Sequence, residues 1–356
     1  MTLYNKPVKL KSARAWRTYL GGKLIDELHN MPDAKDSNFP EEWLMSTVRA
    51  RNSGREDIVE GLSITQTGIS LSDFINNDPE KILGVDHFSV YGNSTGVLVK
   101  LLDSMERLTV QVHPTKEKAK ELFNSPFGKT ECWHIIDCRE DLDEKPCIYL
   151  GFKKGITRQK WKDCFEKQDI NAMLGCLHRI EVKKGDTFLI CGGVPHAIGA
   201  GCFLVEIQEP TDYTVRTERV TPSGLRISDF MCHQGLGFEK MFDCFNYCGF
   251  SEEDALKHWK ISPIINKTNF YTENEVIGYR DTPMFRLKVI DIESFFDIKE
   301  LPFFSGLYIL DGCGILDEKQ IKKGDQFFLP ANTKAFRIEN KENKTLKVLW
   351  YFGPQI

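Results

Sequence analysis

Along most of the chain, apolar residues either alternate with polar ones or run unbroken over four to eight positions between Gly, Pro, Asn and Asp. RLTVQVH, ECWHIID, RIEV, FLVEIQ, FRLKVIDI, SGLYILDG and TLKVLWYF are such segments. Side chains in a strand alternate between faces, so a two-residue period or a short, bounded apolar run predicts a strand. Helical periodicity is local. Residues 115–123, TKEKAKELF, follow a proline and can be capped by Thr115; residues 155–177 predict a small helical insertion; SEEDALKHW from Ser251 has the spacing of a capping box with Asp254. Many short strands broken by glycine turns predict a double-sheet sandwich or barrel.

A repeat sharpens the architecture. KKGDTFLICGGVPHAIGAG from residue 183 and KKGDQFFLPANTKAF from residue 322 share a Lys-Lys-Gly-Asp turn, an apolar strand, a small-residue turn and a further strand. Gly185 and Gly324 suit the left-handed position of that turn, and each following Asp can hydrogen-bond the turn behind it. This is how barrels of the cupin type read. The expected fold is mainly β: two cupin-type (jelly-roll) barrels with a small helical insertion in the first. Residues 1–260 form the first barrel, with the insertion around 155–177, and residues 261–356 a smaller one, joined through ISPIINKTN. In the second copy Lys334 stands where the first has His196, and residues 261–356 contain no strand histidine pair and no QVH strand.

Composition narrows the function. With 356 residues, 41% hydrophobic and 28% charged, the chain reads as an ordinary globular protein. A net charge of -4 with interspersed signs gives no footprint for nucleic acid or an anionic membrane. Thr187–Val205 carries no Asp, Glu, Lys or Arg, but Gly192, Gly193, Pro195, Gly199 and Gly201 would break a spanning helix. The opening MTLYNKPVKLKSARAW lacks the apolar core of a signal peptide. Eleven cysteines without a CxxC pair read as reduced thiols, so the expected location is cytoplasmic. Nothing in the sequence chooses between monomer and homo-oligomer.

Three short pieces carry candidate chemistry. In LTVQVHP, strand alternation puts Thr109, Gln111 and His113 on one face; in FGKTECW, Lys129 precedes Glu131 at a strand start; in GGVPHAIGAG, His196 follows a turn. A strand histidine taken singly is more commonly a hydrogen-bonded core residue, and His134, His178 and His233 read as structural or surface residues. Glu131 alone reads as an ion-pair partner of Lys129. Together, Gln111, His113, Glu131 and His196 offer an amide oxygen, two imidazoles and a carboxylate, a set suited to Zn²⁺ and compatible with Mn²⁺, Fe²⁺ or Co²⁺. Downstream, Glu206 lies on a strand whose other face is apolar, so it must face a polar cavity or a partner. Asp212 and Arg216 follow, and read either as a loop-pinning salt bridge or as an anion-binding arginine near Lys129.

These residues resemble the marks of type I phosphomannose isomerases, zinc-dependent cupin enzymes: Gln111-Val112-His113-Pro114, Lys129-Thr130-Glu131, Pro195-His196-Ala197, Glu206, and Asp212 through Arg216. The resemblance implies one zinc ion held by Gln111, His113, Glu131 and His196, with Lys129, Asp212 and Arg216 binding the substrate. It implies a small sugar phosphate as partner and the interconversion of mannose 6-phosphate and fructose 6-phosphate through a cis-enediol(ate). Arg216, Glu206 and Lys129 are the expected catalytic residues, with Glu206 the first choice for the base, Lys129 the second, and Asp212 orienting Arg216. The front departs from the family pattern: RTYL separates Trp16 from Gly21-Gly22, only Glu42-Trp43 answers the expected Gly-Glu-Ser-Trp-Glu, and TVRARNSGRED is arginine-rich. An isomerase or epimerase of another sugar phosphate is the second reading; a non-catalytic sugar-binding cupin is the third.

Overall fold

The computed structural model describes residues 4–356; the expectation for residues 1–3 lies outside them. Two pairs of antiparallel sheets make up a mainly β molecule. In the first pair, one sheet runs Lys260–Ile261, Thr187–Ile190, Glu131–Cys138, Cys202–Gln208, Leu98–Asp103, Glu41–Leu44 and Arg14–Ala15. Its partner runs Val215–Arg216, Gln111–Val112, His196–Ile198, Cys147–Phe152 and Leu177–Glu181. Leu102, Trp133, Phe188 and Leu204 from the large sheet meet Ile148, Leu150 and Ile198 from the small one in a shared core. The second pair sets a seven-stranded sheet, Val8–Leu10 at one edge and Ile264–Lys267 at the other, against four strands between Phe295 and Asn340.

The central strands of each large sheet are buried on both faces, which explains the unbroken apolar runs. Leu204 points into the first barrel, while Phe203, Val205 and Ile207 point out of it. Those three join Val276, Leu287, Val289, Tyr308, Leu349 and Tyr351 of the C-terminal sheet in one cluster between the barrels. Ile290, Leu307, Ile309, Val348 and Trp350, on the other face, fill the second barrel's interior.

The repeated turn behaves as its residues require. Gly185 and Gly324 have φ of 90° and 88°, and Asp186 and Asp325 accept from the backbone N of Lys183 and Lys322 at 3.2 and 3.1 Å. The insertion consists of helices Arg158–Lys167 and Ile170–Gly175, capped by Thr157 and Asp169. Thr115 and Ser251 cap Lys116–Phe123 and Glu252–Trp259. Two features differ from expectation. Val8–Leu10 pairs with Gln326–Leu329, so the front of the chain completes the C-terminal sheet before entering the first barrel. Short helices Leu71–Asn76, Pro79–Leu83 and Val85–Tyr91 also occupy a stretch without visible periodicity, because each contributes only a turn or two to burial. Among the described residues, no helix is long and apolar enough to cross a membrane.

Candidate metal centre

Strand register assembles the site. Gln111 lies opposite His196 on one neighbouring strand and Arg216 on the other, so these three form a row across the small sheet. Val110 and Val112 alternate to the opposite side, into the core under the helical insertion. That core fixes the face on which Gln111 and His113 stand. On the large sheet, Glu206 lies opposite Trp133 and Lys100, and Lys100 opposite Trp43. Glu131 begins its strand beside Gln208, and Glu209 pins the preceding turn by accepting from the backbone N of Gly128 and Thr130 at 3.2 and 2.9 Å.

The two imidazoles are held in one tautomer. His113 Nδ1 donates to the carbonyl of Tyr213, and His196 Nδ1 to that of Val194, each at 2.8 Å. A carbonyl only accepts, so both Nε2 atoms carry lone pairs, and these face each other at 3.2 Å. Glu131 brings its oxygens to 3.2 Å from His113 Nε2 and 3.3 Å from His196 Nε2, and its buried Oε1 has no donor. The Gln111 amide lies 3.3 Å from His196 Nε2, and rotating it end for end turns its oxygen inward. Converging lone pairs without protons need a cation between them. The Lys129 ammonium serves here, donating to His113 Nε2 at 2.8 Å and to Glu131. His113, Glu131 and His196 are all buried and are the one such group among the described residues with ligand atoms close enough to share an ion. The donor set fits a divalent metal.

The charges follow from this packing. Burial, then Lys129, pushes His113 down to about 4, and burial lowers His196 as well although Glu131 opposes it. Burial alone would raise the Glu131 carboxyl; Lys129 and the two imidazoles outweigh it and hold Glu131 well below the usual carboxylate range. Neutral imidazoles and an ionised carboxylate are the ligating forms of these groups.

Beside the centre lies a cavity of about 40 Å³, lined by Gln111, Lys129, Glu206, Asp212 and Arg216 as expected, and by Arg17, Tyr19, Glu41 and Lys100, which no motif in the sequence marks out. Lys100 and Trp133 donate to the two Glu206 oxygens at 2.9 and 3.1 Å. Burial would lower the Lys100 ammonium; Glu206 and Glu41 outweigh it and hold Lys100 above its ordinary value. Arg17 and Trp43 both donate to Glu41, at 2.9 and 2.7 Å, and Arg17 and Lys100 hold its carboxyl at about 2 against burial. One signal was legible in advance. Lys100 is a single cation inside the apolar run VLVKLLD, a placement that costs several kcal/mol unless an anion answers it.

The expected role of Asp212 needs correction. It makes no ion pair with Arg216; Arg17 grips both its oxygens at 3.1 and 3.2 Å. Arg216 instead donates to the carbonyls of Thr214 and Met231, each at 3.1 Å, and burial lowers its guanidinium from the ordinary value. The reason is strand geometry. Residues four apart are neighbours on a helix, but here the chain runs extended into Val215–Arg216, which spaces them about 13 Å along the backbone.

No family model matches the chain. Among curated proteins it is 41% identical over 135 residues to the probable mannose-6-phosphate isomerase GmuF of Bacillus subtilis, 37% of this chain and 40% of that relative. The matched stretch thus spans less than half of GmuF. It is 25% identical to the B. subtilis mannose-6-phosphate isomerase ManA over 345 residues, 94% of this chain and 96% of ManA. The crystal structure of the B. subtilis mannose 6-phosphate isomerase superposes with a TM-score of 0.73 at 23% identity, over 97% of this chain and 99% of that one. That of a putative mannosephosphate isomerase from Archaeoglobus fulgidus also gives 0.73, at 20% identity and full coverage of both. At these identities the structures establish the shared fold. Curated relatives and solved structures alike carry the name of the family that the motifs resemble.

Proposed function

We propose that the chain is a metal-dependent aldose–ketose isomerase acting on a sugar phosphate, interconverting mannose 6-phosphate and fructose 6-phosphate. The observation that carries this is the pair of Nε2 lone pairs converging with Glu131 and Gln111 on one point beside a cavity lined by Glu206, Lys100 and Arg216. A divalent ion held by Gln111, His113, Glu131 and His196 would supply Lewis acidity to the substrate's carbonyl oxygen. Zn²⁺ suits these donors, and Mn²⁺, Fe²⁺ and Co²⁺ are compatible with them.

In this reading Glu206 takes the proton from C2 of the open-chain aldose, leaving a cis-enediol(ate), and returns it at C1 while O1 and O2 exchange a proton. Its carboxylate is aimed by Lys100 and Trp133. Lys129 is within 3.9 Å of Glu206, which puts a second cation beside the developing oxyanion. Arg216, fixed through two carbonyls and bearing no carboxylate partner among the described residues, stabilises the same charge. The cavity has room for a water or two, so a sugar enters by displacing side chains at its mouth.

We place the chemistry in the barrel ending near residue 260. Residues 261–356, which among the described residues hold no comparable ligand set, cover the outer face of its large sheet. All eleven cysteines are free, in keeping with a cytoplasmic enzyme. Isomerisation or epimerisation of another sugar phosphate is the second reading, favoured by the altered RTYL and TVRARNSGRED segments. A coupled fructose 6-phosphate assay with metal analysis, run against a panel of other aldose and ketose phosphates, tests both. Mannose 6-phosphate turnover, lost on chelation and restored by Zn²⁺, is expected. Turnover of another panel member alone would replace the substrate, and turnover of none would sink the enzyme reading.

A further inference from the structure

The arginine-rich TVRARNSGRED segment takes no part in the chemistry above, yet its backbone holds Asp212, which lines the cavity. The Arg51 backbone N donates to Asp212 Oδ2 at 3.0 Å. The next residue, Asn52, is buried; its side chain accepts from Arg17 at 3.4 Å and donates to the Trp16 carbonyl at 2.9 Å. The three arginines then differ. Arg49 donates to the carbonyls of Glu56 and Ile58 within its own loop, and Arg55 pairs with Glu60 at 2.5 Å. Arg51 has no hydrogen-bond or ion-pair partner for its guanidinium among the described residues, and it is exposed.

Its position is nonetheless defined. The Arg51 guanidinium carbon lies 5.1 Å from the centre of the Tyr213 ring, which is stacked on Phe123 with centroids 4.5 Å apart. Tyr213 is also the residue whose carbonyl fixes His113. One residue therefore supports a candidate metal ligand through its backbone and an unpaired cation through its ring. In and beside the cavity, Arg17, Lys100, Lys129 and Arg216 lie among Glu41, Glu131, Glu206 and Asp212. Arg17, Lys100 and Lys129 each engage a carboxylate and Arg216 is held by the carbonyls of Thr214 and Met231, which leaves Arg51 as the nearby guanidinium without a partner among the described residues.

Resting on the isomerase reading, we propose that Arg51 binds the phosphate of the substrate at the cavity mouth, leaving the carbonyl end to reach His113, Glu131 and His196. A guanidinium presents a planar fork of donors that matches two phosphate oxygens, and stacking on Tyr213 holds that fork in place before the substrate arrives. The departure from the family pattern thereby acquires a purpose, since the segment supplies the anion site from this chain's own front.

Three variants of the zinc-loaded protein separate the possibilities: Arg51→Met, Arg51→Lys and a control, Arg49→Met. Arg51→Met is expected to raise KM for the sugar phosphate about tenfold to a hundredfold, the range for a hydrogen bond to a charged group, with kcat changed less than about threefold. Arg51→Lys is expected to recover part of the loss, and Arg49→Met to match wild type. Independently of turnover, calorimetric binding of inorganic phosphate is expected to weaken by the same factor in Arg51→Met. Active wild type with unchanged KM and phosphate affinity in Arg51→Met would overturn the inference and leave the isomerase reading standing. Wild type inactive on every sugar phosphate would overturn that reading; phosphate binding that still depends on Arg51 would then uphold the anion site, and binding indifferent to Arg51 would remove it as well.

Discussion

The grip of Arg17 on Asp212 can be separated from the Asp212–Arg216 pairing that the sequence suggested by two double-mutant cycles. One cycle combines Arg17→Met with Asp212→Asn, the other Arg216→Met with Asp212→Asn. Two unit charges about 4 Å apart in an effective dielectric of about 20 attract by about 4 kcal/mol. The Arg17 and Asp212 side chains retain 7% and 9% of their exposure, so solvent screens them little. Asp212 is lowered from 3.8 to about 2, with Arg17 the largest opposing influence to burial, and at 1.36 kcal/mol per pH unit this corresponds to about 2 kcal/mol. A coupling of about 2–4 kcal/mol follows for Arg17–Asp212. Arg216 makes no ion pair with Asp212 but feels its charge at longer range, and is expected to couple more weakly than Arg17 does.

Urea unfolding of the single and double variants at pH 7 measures both couplings. Arg17 also serves Glu41, but that loss is common to Arg17→Met and to its double variant and cancels in the cycle. The sign of the pH dependence is set by Asp212: its folded value is depressed, so its contribution is present above about pH 4 and lost only as the pH falls toward 2. The coupling at pH 5 should therefore equal that at pH 7. An Arg17–Asp212 coupling below about 1 kcal/mol, or a larger value for Arg216–Asp212, would refute the assignment.

Two further outcomes are expected. Glu206→Gln should cut exchange of the C2 proton with D₂O about a hundredfold to ten-thousandfold while bound zinc stays at the wild-type level; undiminished exchange would take Glu206 out of the base's role. His134, buried and donating or accepting with Thr187 Oγ1 at 2.8 Å, is pushed down to about 4 by burial and then by Lys347. Its unfolded form takes up a proton near 6.5, so this histidine costs the fold about 2 kcal/mol between pH 7 and pH 5. His134→Gln should flatten the stability profile by that amount in urea titrations; a profile parallel to wild type would show that His134 titrates alike in the folded and unfolded chain.

How much of this was legible before folding depends on how far each interaction reaches. Gln111 and His113 are two apart on one strand, so their shared face follows from the chain's own period. Glu206 announced a polar cavity because its strand neighbours Leu204 and Val205 are both buried apolar residues. Lys100 carries the same signal, with no motif around it to draw the eye. Arg17 carries none: its partner Asp212 is 195 residues away, and nothing in RAWRTYL distinguishes it from a surface arginine. The Asp212–Arg216 pairing failed for a related reason, since spacing predicts contact only once the local backbone is known.

The repeated turn makes the same point about the whole molecule. KKGD folds alike in both barrels, with the same positive φ at glycine and the same aspartate hydrogen bond. What differs is the interior each turn feeds. The first opens on buried His113, Lys129, Glu131 and Glu206; the second is packed with Ile290, Leu307, Ile309, Val348 and Trp350. Lys334, at the position answering His196, is exposed, and its backbone N is engaged with the Asn5 carbonyl at 3.1 Å. Placing an imidazole there would give it neither a carbonyl-fixed partner nor a carboxylate, so the chemistry is set by what fills each barrel, while the turn they share sets only the fold.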